Sequence, residues 1–293
     1  MLFIDQIKAK DALLRPEFER LFSLAVANQS HPGDLLLILE NGAYDSDVLN
    51  YPGEPLSPHV IGPGKEGLAY DTHYQFINLY RHRVYTRTHA EYLAELEALV
   101  KAQKWEERDQ LEAAEAISVQ LETLIYLKIW ESDFLLKRLY EFVRILLGES
   151  FHWGFKAESR YKTIRFQIRD KVRPLSETLY ACITTAYRSQ IRNSIAHSNY
   201  AIMSRNIHPN NDVATNPDSL QNLPFDEWID MFHLTLAIYN ELIGLGNKIR
   251  LHYATLAPAQ NNEIEVLVPD KSGQLRSKII MYRPEWDDFR YKQ

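Results

Sequence analysis

Cysteine is almost missing from this 293-residue chain: Cys182 is the only one. One thiol excludes an intramolecular disulfide and a cysteine-based zinc site, and it fits a reducing compartment. Long apolar runs are missing as well. The most concentrated, Leu35 to Leu39, is five residues, against the roughly 20 needed to cross a bilayer. Met1-Leu2-Phe3-Ile4-Asp5 offers neither a basic region nor the apolar stretch of a signal peptide. The expectation is a soluble, cytoplasmic protein with no membrane partner. Positive charge is also in deficit, since 33 Lys and Arg against 39 Asp and Glu leave −6. No global field therefore draws the chain to nucleic acid, and any such attraction has to be local.

Several catalytic signatures are absent too. The histidines form no HExxH and no carboxylate-flanked pair at ligand spacing, so neither a metal nor a cofactor is expected. There is no GxSxG elbow, and Cys182 sits among apolar neighbours in a helical pattern, where a thiol packs rather than attacks. Gly62-Pro63-Gly64-Lys65 has the look of a phosphate loop, but Glu66 follows where Ser or Thr is needed, and it reads as a turn.

What is present is mostly helix. Leu14, Phe18, Leu21, Phe22 and Ala25 set a helical period over 11–29, and Ile117, Leu121, Leu124, Leu135, Leu139, Phe142 and Leu146 continue one up to Gly148. Tyr161, Ile164, Ile168 and Val172 share one side of 160–172, with Lys162, Arg165, Arg169 and Arg173 beside them. A further helix is expected over 175–197, and another from about 224 with Trp228, Phe232, Leu236, Tyr239 and Ile243 as its stripe. The acidic part near 91–122 reads as a solvated face. The Pro- and Gly-rich 45–67 reads as a long loop, and the polar 206–224 as another. Alternation at Ile264, Val266 and Val268, then a turn, then Ile279 to Tyr282, predicts a β-hairpin. The fold expected is mostly α: an irregular N-terminal extension over 1–85, a helical domain over 86–258 and a C-terminal β-hairpin tail over 259–293.

Charge is distributed unevenly along this frame. Residues 156–192 hold nine Lys and Arg against three Asp and Glu, a net +6, which leaves −12 for the remainder. Such asymmetry is either a local phosphate footprint or a solvated basic face. Arg192, Asn193 and His197 adjoin it. Asn193 and His197, four apart, share a helix face, and Arg192 lies about 140° from His197 around an ideal helix. A histidine can take the 2′-OH proton of RNA or protonate the leaving 5′-oxygen, while a guanidinium holds the phosphate.

Arg192-Asn193-Ser194-Ile195-Ala196-His197 resembles the R-N-x-x-x-H motif of the HEPN superfamily, all-α proteins that include many metal-independent endoribonucleases. A looser Arg-x-His spacing also occurs at Arg83 and His89. Asp133-Phe134-Leu135-Leu136-Lys137-Arg138 resembles the acidic-x-x-x-Lys-Arg element on an earlier helix of some members. The resemblance covers roughly residues 115–250 and implies a HEPN-like helical bundle. It implies Arg192, Asn193 and His197 as catalytic residues, and Asp133, Lys137 and Arg138 as support. Lys162, Arg165, Arg169 and Arg188 are the candidate RNA contacts. It also implies a homodimer that pairs two motifs, a role as a toxin or antiviral defence effector, and restraint by an antitoxin or sensor protein. HEPN toxins often carry a modified tyrosine two residues after the histidine. Here Asn199 takes that place and Tyr200 follows, which puts that control in doubt. The alternative is a non-catalytic HEPN-like module that binds RNA, a nucleotide or a partner protein.

Overall fold

A computed structural model of the protein describes residues 1–39, 74–80, 88–155, 159–211, 219–270 and 272–292. The 45–67 loop, the Gly62–Lys65 turn and Arg83 lie outside them. The chain is mostly helical, with two small antiparallel sheets. The helices are α1 (Ile4–Asn28), α2 (His89–Lys101), α3 (Trp105–Trp130), α4 (Asp133–Leu146), α5 (160–172), α6 (Glu177–Ala186), α7 (Ser189–Ala196) and α8 (Phe225–Leu256). A helical segment over 74–80 precedes α2. Strands β1 (Tyr200–Met203), β2 (Asn206–Pro209) and β3 (Leu223–Pro224) form one sheet; β4 (Glu263–Pro269), β5 (Leu275–Arg283) and β6 (Asp288–Tyr291) form the other. Among the described residues, no helix is long and apolar enough to cross a membrane.

Two compact units are built from alternating parts of the chain. The first takes 1–16, 76–132 and 172–239; the second takes 17–75, 133–171 and 240–293. In the first unit, α2 starts at a reciprocal cap: Thr88 Oγ1 accepts from the Glu91 N–H, and the Glu91 carboxylate accepts from the Thr88 N–H. Met1, Phe3, Tyr92, Leu96 and Ile229 form one core cluster. Trp228 stacks on Phe232 and lies 5.5 Å from Tyr126. The acidic segment 91–122 is not wholly the solvated face its composition suggests. Glu115 and Glu122 are buried, Glu115 clasped by the Arg205 guanidinium at 2.8 and 3.1 Å. Conversely Ile117 and Leu124, in register with the core by period, are 66% and 51% exposed.

The helix expected over 175–197 is broken. Tyr187 and Arg188 are extended between α6 and α7. The Tyr187 ring lies 5.1 Å from that of Trp130, and the Arg188 N–H reaches the Tyr126 hydroxyl at 3.3 Å. Tertiary partners thus outbid helical continuity. A β-sheet then follows, and two of its strands, β2 and β3, lie within the 206–224 stretch expected as loop. Its first turn uses Ser204 and Arg205, both at positive φ, where glycine or asparagine is the usual occupant.

In the second unit Phe18 of α1 stacks on Phe142 of α4 at 6.2 Å. Gly148, at φ +76°, ends α4 as its sequence position suggests. The expected C-terminal hairpin is present as β4 and β5, joined by a third strand, β6. Ile264, Val266, Val268, Ile280 and Phe289 bury its inner face. Gly33 meets β4 so closely that a Cβ there would collide with the Glu265 carbonyl.

Candidate functional site

The motif residues occupy α7 and its end. Ile191, Ser194 and Ile195 are buried, so spacing three and four apart turns this face to the core and leaves Arg192, Asn193 and His197 on the outer flank. His197 is the last residue of the helix turn, its N–H bonded to the Asn193 carbonyl at 3.1 Å. Ser198 takes a left-handed conformation, φ +52°, and the Ser198 and Asn199 N–H groups close on the Ile195 and Ser194 carbonyls. The chain therefore turns sharply into β1 and leaves His197 exposed. Among the described residues, its ring has no hydrogen-bond or ion-pair partner. Tyr200 is engaged elsewhere, donating to Gln120 Oε1 at 3.0 Å.

His89, the other histidine at a loosely matching spacing, sits in a different setting. Its ring lies 4.9 Å from that of Phe3, and its Nε2 is 3.3 Å from Asp226. It is a packed side chain, whereas His197 is accessible. Cys182 is buried in α6, and burial pushes its thiol up to about 11, which suits packing.

Arg192 is half-buried and directed to Glu131, the residue capping α3. Its Nη1 lies 3.1 Å from Glu131 Oε1, an ion-pair distance without hydrogen-bond alignment. Its Nε is buried with no hydrogen-bond partner among the described residues. Sequence reading gave no hint of Glu131, 61 positions away from Arg192 in the chain. Arg188, the residue before α7, pairs with Glu227 at 3.3 Å. These residues all belong to the first unit, as do Asn193 and His197.

The remaining candidates belong to the second unit. Asp133 opens α4, but it does not pair with Lys137 one turn on. It binds Arg160 at 2.6 Å, while Lys137 lies over the Phe151 ring at 5.7 Å. Arg138 is buried, stacked 4.2 Å over Phe134 and donating to the Leu242 carbonyl. On α5, Lys162 and Arg165 are exposed and Arg169 pairs with Asp170 at 2.6 Å.

The basic stretch is thus divided between the units at residues 171 and 172, and much of its charge is answered. Arg160, Arg169 and Lys171 pair with Asp133, Asp170 and Glu149 in the second unit; Arg173, Arg188 and Arg192 pair with Glu177, Glu227 and Glu131 in the first. Four of these six acids lie outside 156–192, so a linear count overstated the local field. Among the described residues, no three His, Cys, Asp or Glu side chains converge as metal ligands do. No family model, no curated protein and no solved structure matches this chain.

Proposed function

We propose that the protein is a metal-independent endoribonuclease of HEPN type. The observation that carries this reading is His197, an exposed imidazole without a hydrogen-bond or ion-pair partner among the described residues, at the end of α7 and one turn beyond Asn193, on the helix whose Arg192 is held by Glu131. His197 is the acid/base group, Arg192 the phosphate clamp and Asn193 an orienting hydrogen-bond partner. The ribose 2′-oxygen attacks the adjacent phosphorus, its proton passes to the base, and the 5′-oxygen leaves with a proton from the acid. The products are a 2′,3′-cyclic phosphate and a 5′-hydroxyl. Each chain supplies one motif histidine while the reaction uses a base and an acid. A homodimer with two copies of His197 at one cleft meets that need. Lys162, Arg165 and Arg169 hold the backbone without reading sequence. Asp133, Lys137 and Arg138 are the supporting residues of the site that the HEPN resemblance implies. The setting is a cytoplasmic toxin or defence effector restrained by an antitoxin or sensor protein.

Cleavage is expected to survive EDTA, to spare DNA and to leave cyclic phosphate ends. His197→Ala is expected to lose roughly 10²–10⁴-fold in rate with an almost unchanged melting temperature. Full RNA cleavage by folded His197→Ala sinks the reading. A second reading has its own support: six cations of the basic stretch are already paired with carboxylates, which suits a non-catalytic module that docks RNA or a partner protein weakly. RNA binding without turnover, unaffected by His197→Ala, would favour it.

A further inference from the structure

Three exposed aromatic side chains, Trp105, Phe166 and Trp286, lie in different electrostatic surroundings. Trp105 is 49% exposed and precedes Glu106, Glu107 and Asp109. Trp286 is 70% exposed between Glu285 and Asp287. Both are flanked by carboxylates, which repel polyanions, although the Arg108 guanidinium lies 5.3 Å over Trp105 and that of Arg283 5.9 Å over Trp286. Phe166, 50% exposed on α5, is the contrary case. Its helical neighbours are Lys162, Arg165 and Arg169, with Asp170 one turn on bonded to Arg169.

The local geometry orders this group. Residues Thr163–Arg169 are wound as a π-helix, a form that recurs at functional sites. Thr163, Ile164, Ile168 and Val172 are buried, so the core is filled without Phe166. The Tyr161 ring meets that of Phe166 edge to face at 6.2 Å. The Arg165 guanidinium lies 5.6 Å over Tyr161 and 5.3 Å over Phe166, and it donates to the Tyr161 hydroxyl. A cation already stacked beside a half-open ring fixes that ring in a preferred position. An aromatic surface bordered by positive charge is what a polyanion with exposed π-faces recognises.

We propose that Phe166, braced by Tyr161 and Arg165, is a base-stacking platform for single-stranded RNA, with Lys162 and Arg165 meeting the flanking phosphates. This rests on RNA being the substrate, and it narrows the substrate to unpaired segments. Bases stacked within a duplex do not offer their faces to a side chain.

The probe is a short fluorescein-labelled 2′-O-methyl oligouridylate, which 2′-OH attack cannot cleave. An abasic strand of equal length and a perfect 2′-O-methyl duplex accompany it. Anisotropy titrations on the full chain are expected to show wild type binding the base-containing strand more tightly than the abasic one. Phe166→Ala is expected to weaken the base-containing strand roughly 5- to 100-fold and leave the abasic strand unchanged. Phe166→Trp keeps the affinity, which separates loss of the ring from loss of fold, and Trp286→Ala changes nothing. Equal affinity for base-containing and abasic strands, equal affinity for the duplex, an unaffected Phe166→Ala, or no binding at all each overturns the platform. Cleavage of ordinary RNA is scored separately. Base-dependent binding lost in Phe166→Ala without any cleavage leaves the platform standing and removes the nuclease. Cleavage with normal binding by Phe166→Ala does the opposite.

Discussion

Each compact unit buries a glutamate on a helix, Glu122 on α3 and Glu141 on α4, and the two fare differently. Glu122 is surrounded by donors: the Met1 amine, the Tyr80 hydroxyl at 2.7 Å, the Ser118 hydroxyl at 3.1 Å and the Trp228 Nε1–H at 2.7 Å. Burial pushes its carboxyl up, but the amine and these hydrogen bonds bring it below the ordinary carboxylate value. Glu141 is as deeply buried yet, among the described residues, accepts only the His152 N–H at 3.0 Å, with Arg144 at 4.0 Å. Its Oε1 has no hydrogen-bond partner among the described residues, and burial pushes the carboxyl up to about 8. The two differ in partners rather than depth, first of all in the cationic amine against Glu122 and then in its hydrogen-bond donors.

The same substitution is therefore expected to act in opposite directions. Glu122→Gln neutralises one side of a buried, fully partnered charge cluster, and a loss of roughly 3–5 kcal/mol is expected in urea unfolding at pH 7. A loss below about 1 kcal/mol would mean that Glu122 is already neutral and the contrast false. Glu141→Gln is expected to cost almost nothing at pH 5 and to stabilise at pH 9.

The sign follows from proton uptake. Glu141 holds its proton in the fold up to about 8, against 4.5 ordinarily. Its contribution is thus complete below pH 4.5 and is lost as pH rises to about 8, by at most about 1.4 kcal/mol per pH unit. The first unit supplies the opposite arm. His233 Nε2 accepts the Phe3 N–H at 3.1 Å, so its Nδ1–H donates to the Ile229 carbonyl. Protonation would break the first bond, and burial holds the ring down to about 4, against 6.5 ordinarily. That contribution is complete above pH 6.5 and is lost as pH falls to about 4. Melting curves from pH 4 to 9 are expected to fall at both ends, with Glu141→Gln flattening only the alkaline arm and His233→Gln only the acid one. An alkaline arm untouched by Glu141→Gln removes the contrast.

Faces were legible in the sequence, and partners were not. Ile164, Ile168 and Val172, or Trp228, Phe232 and Leu236, are buried at the spacing their period dictates. The capping pair Thr88 and Glu91 is equally local and can be read three residues apart. Arg205 meets Glu115 across 90 positions, and no local pattern announces that. The same gap explains the basic stretch, whose compensating acids come from distant segments. The break at Tyr187 arises likewise, from Trp130 and Tyr126. Of the candidate site, the exposure of His197 was within reach, because Ile191, Ser194 and Ile195 claim the inner face. The hold on Arg192 was not.

That hold gives the smallest expected effect. Glu131 caps the C-terminal end of α3, where the helix dipole disfavours a carboxylate, and the Arg192 guanidinium offsets this. Both side chains are partly exposed, so removing the pair costs at most about 1 kcal/mol. The melting temperature of Glu131→Gln is expected to move little. Its kinetics discriminate. If Arg192 clamps phosphate, it has to exchange Glu131 for the substrate, and the carboxylate competes with RNA for the same guanidinium. Glu131→Gln then lowers KM for RNA severalfold, leaves kcat almost unchanged and steepens the dependence on salt, since one more cation is released to the backbone. A fall in kcat at constant KM would instead make Glu131 the residue that positions Arg192 for the transition state. No change in either constant would take Arg192 out of the site.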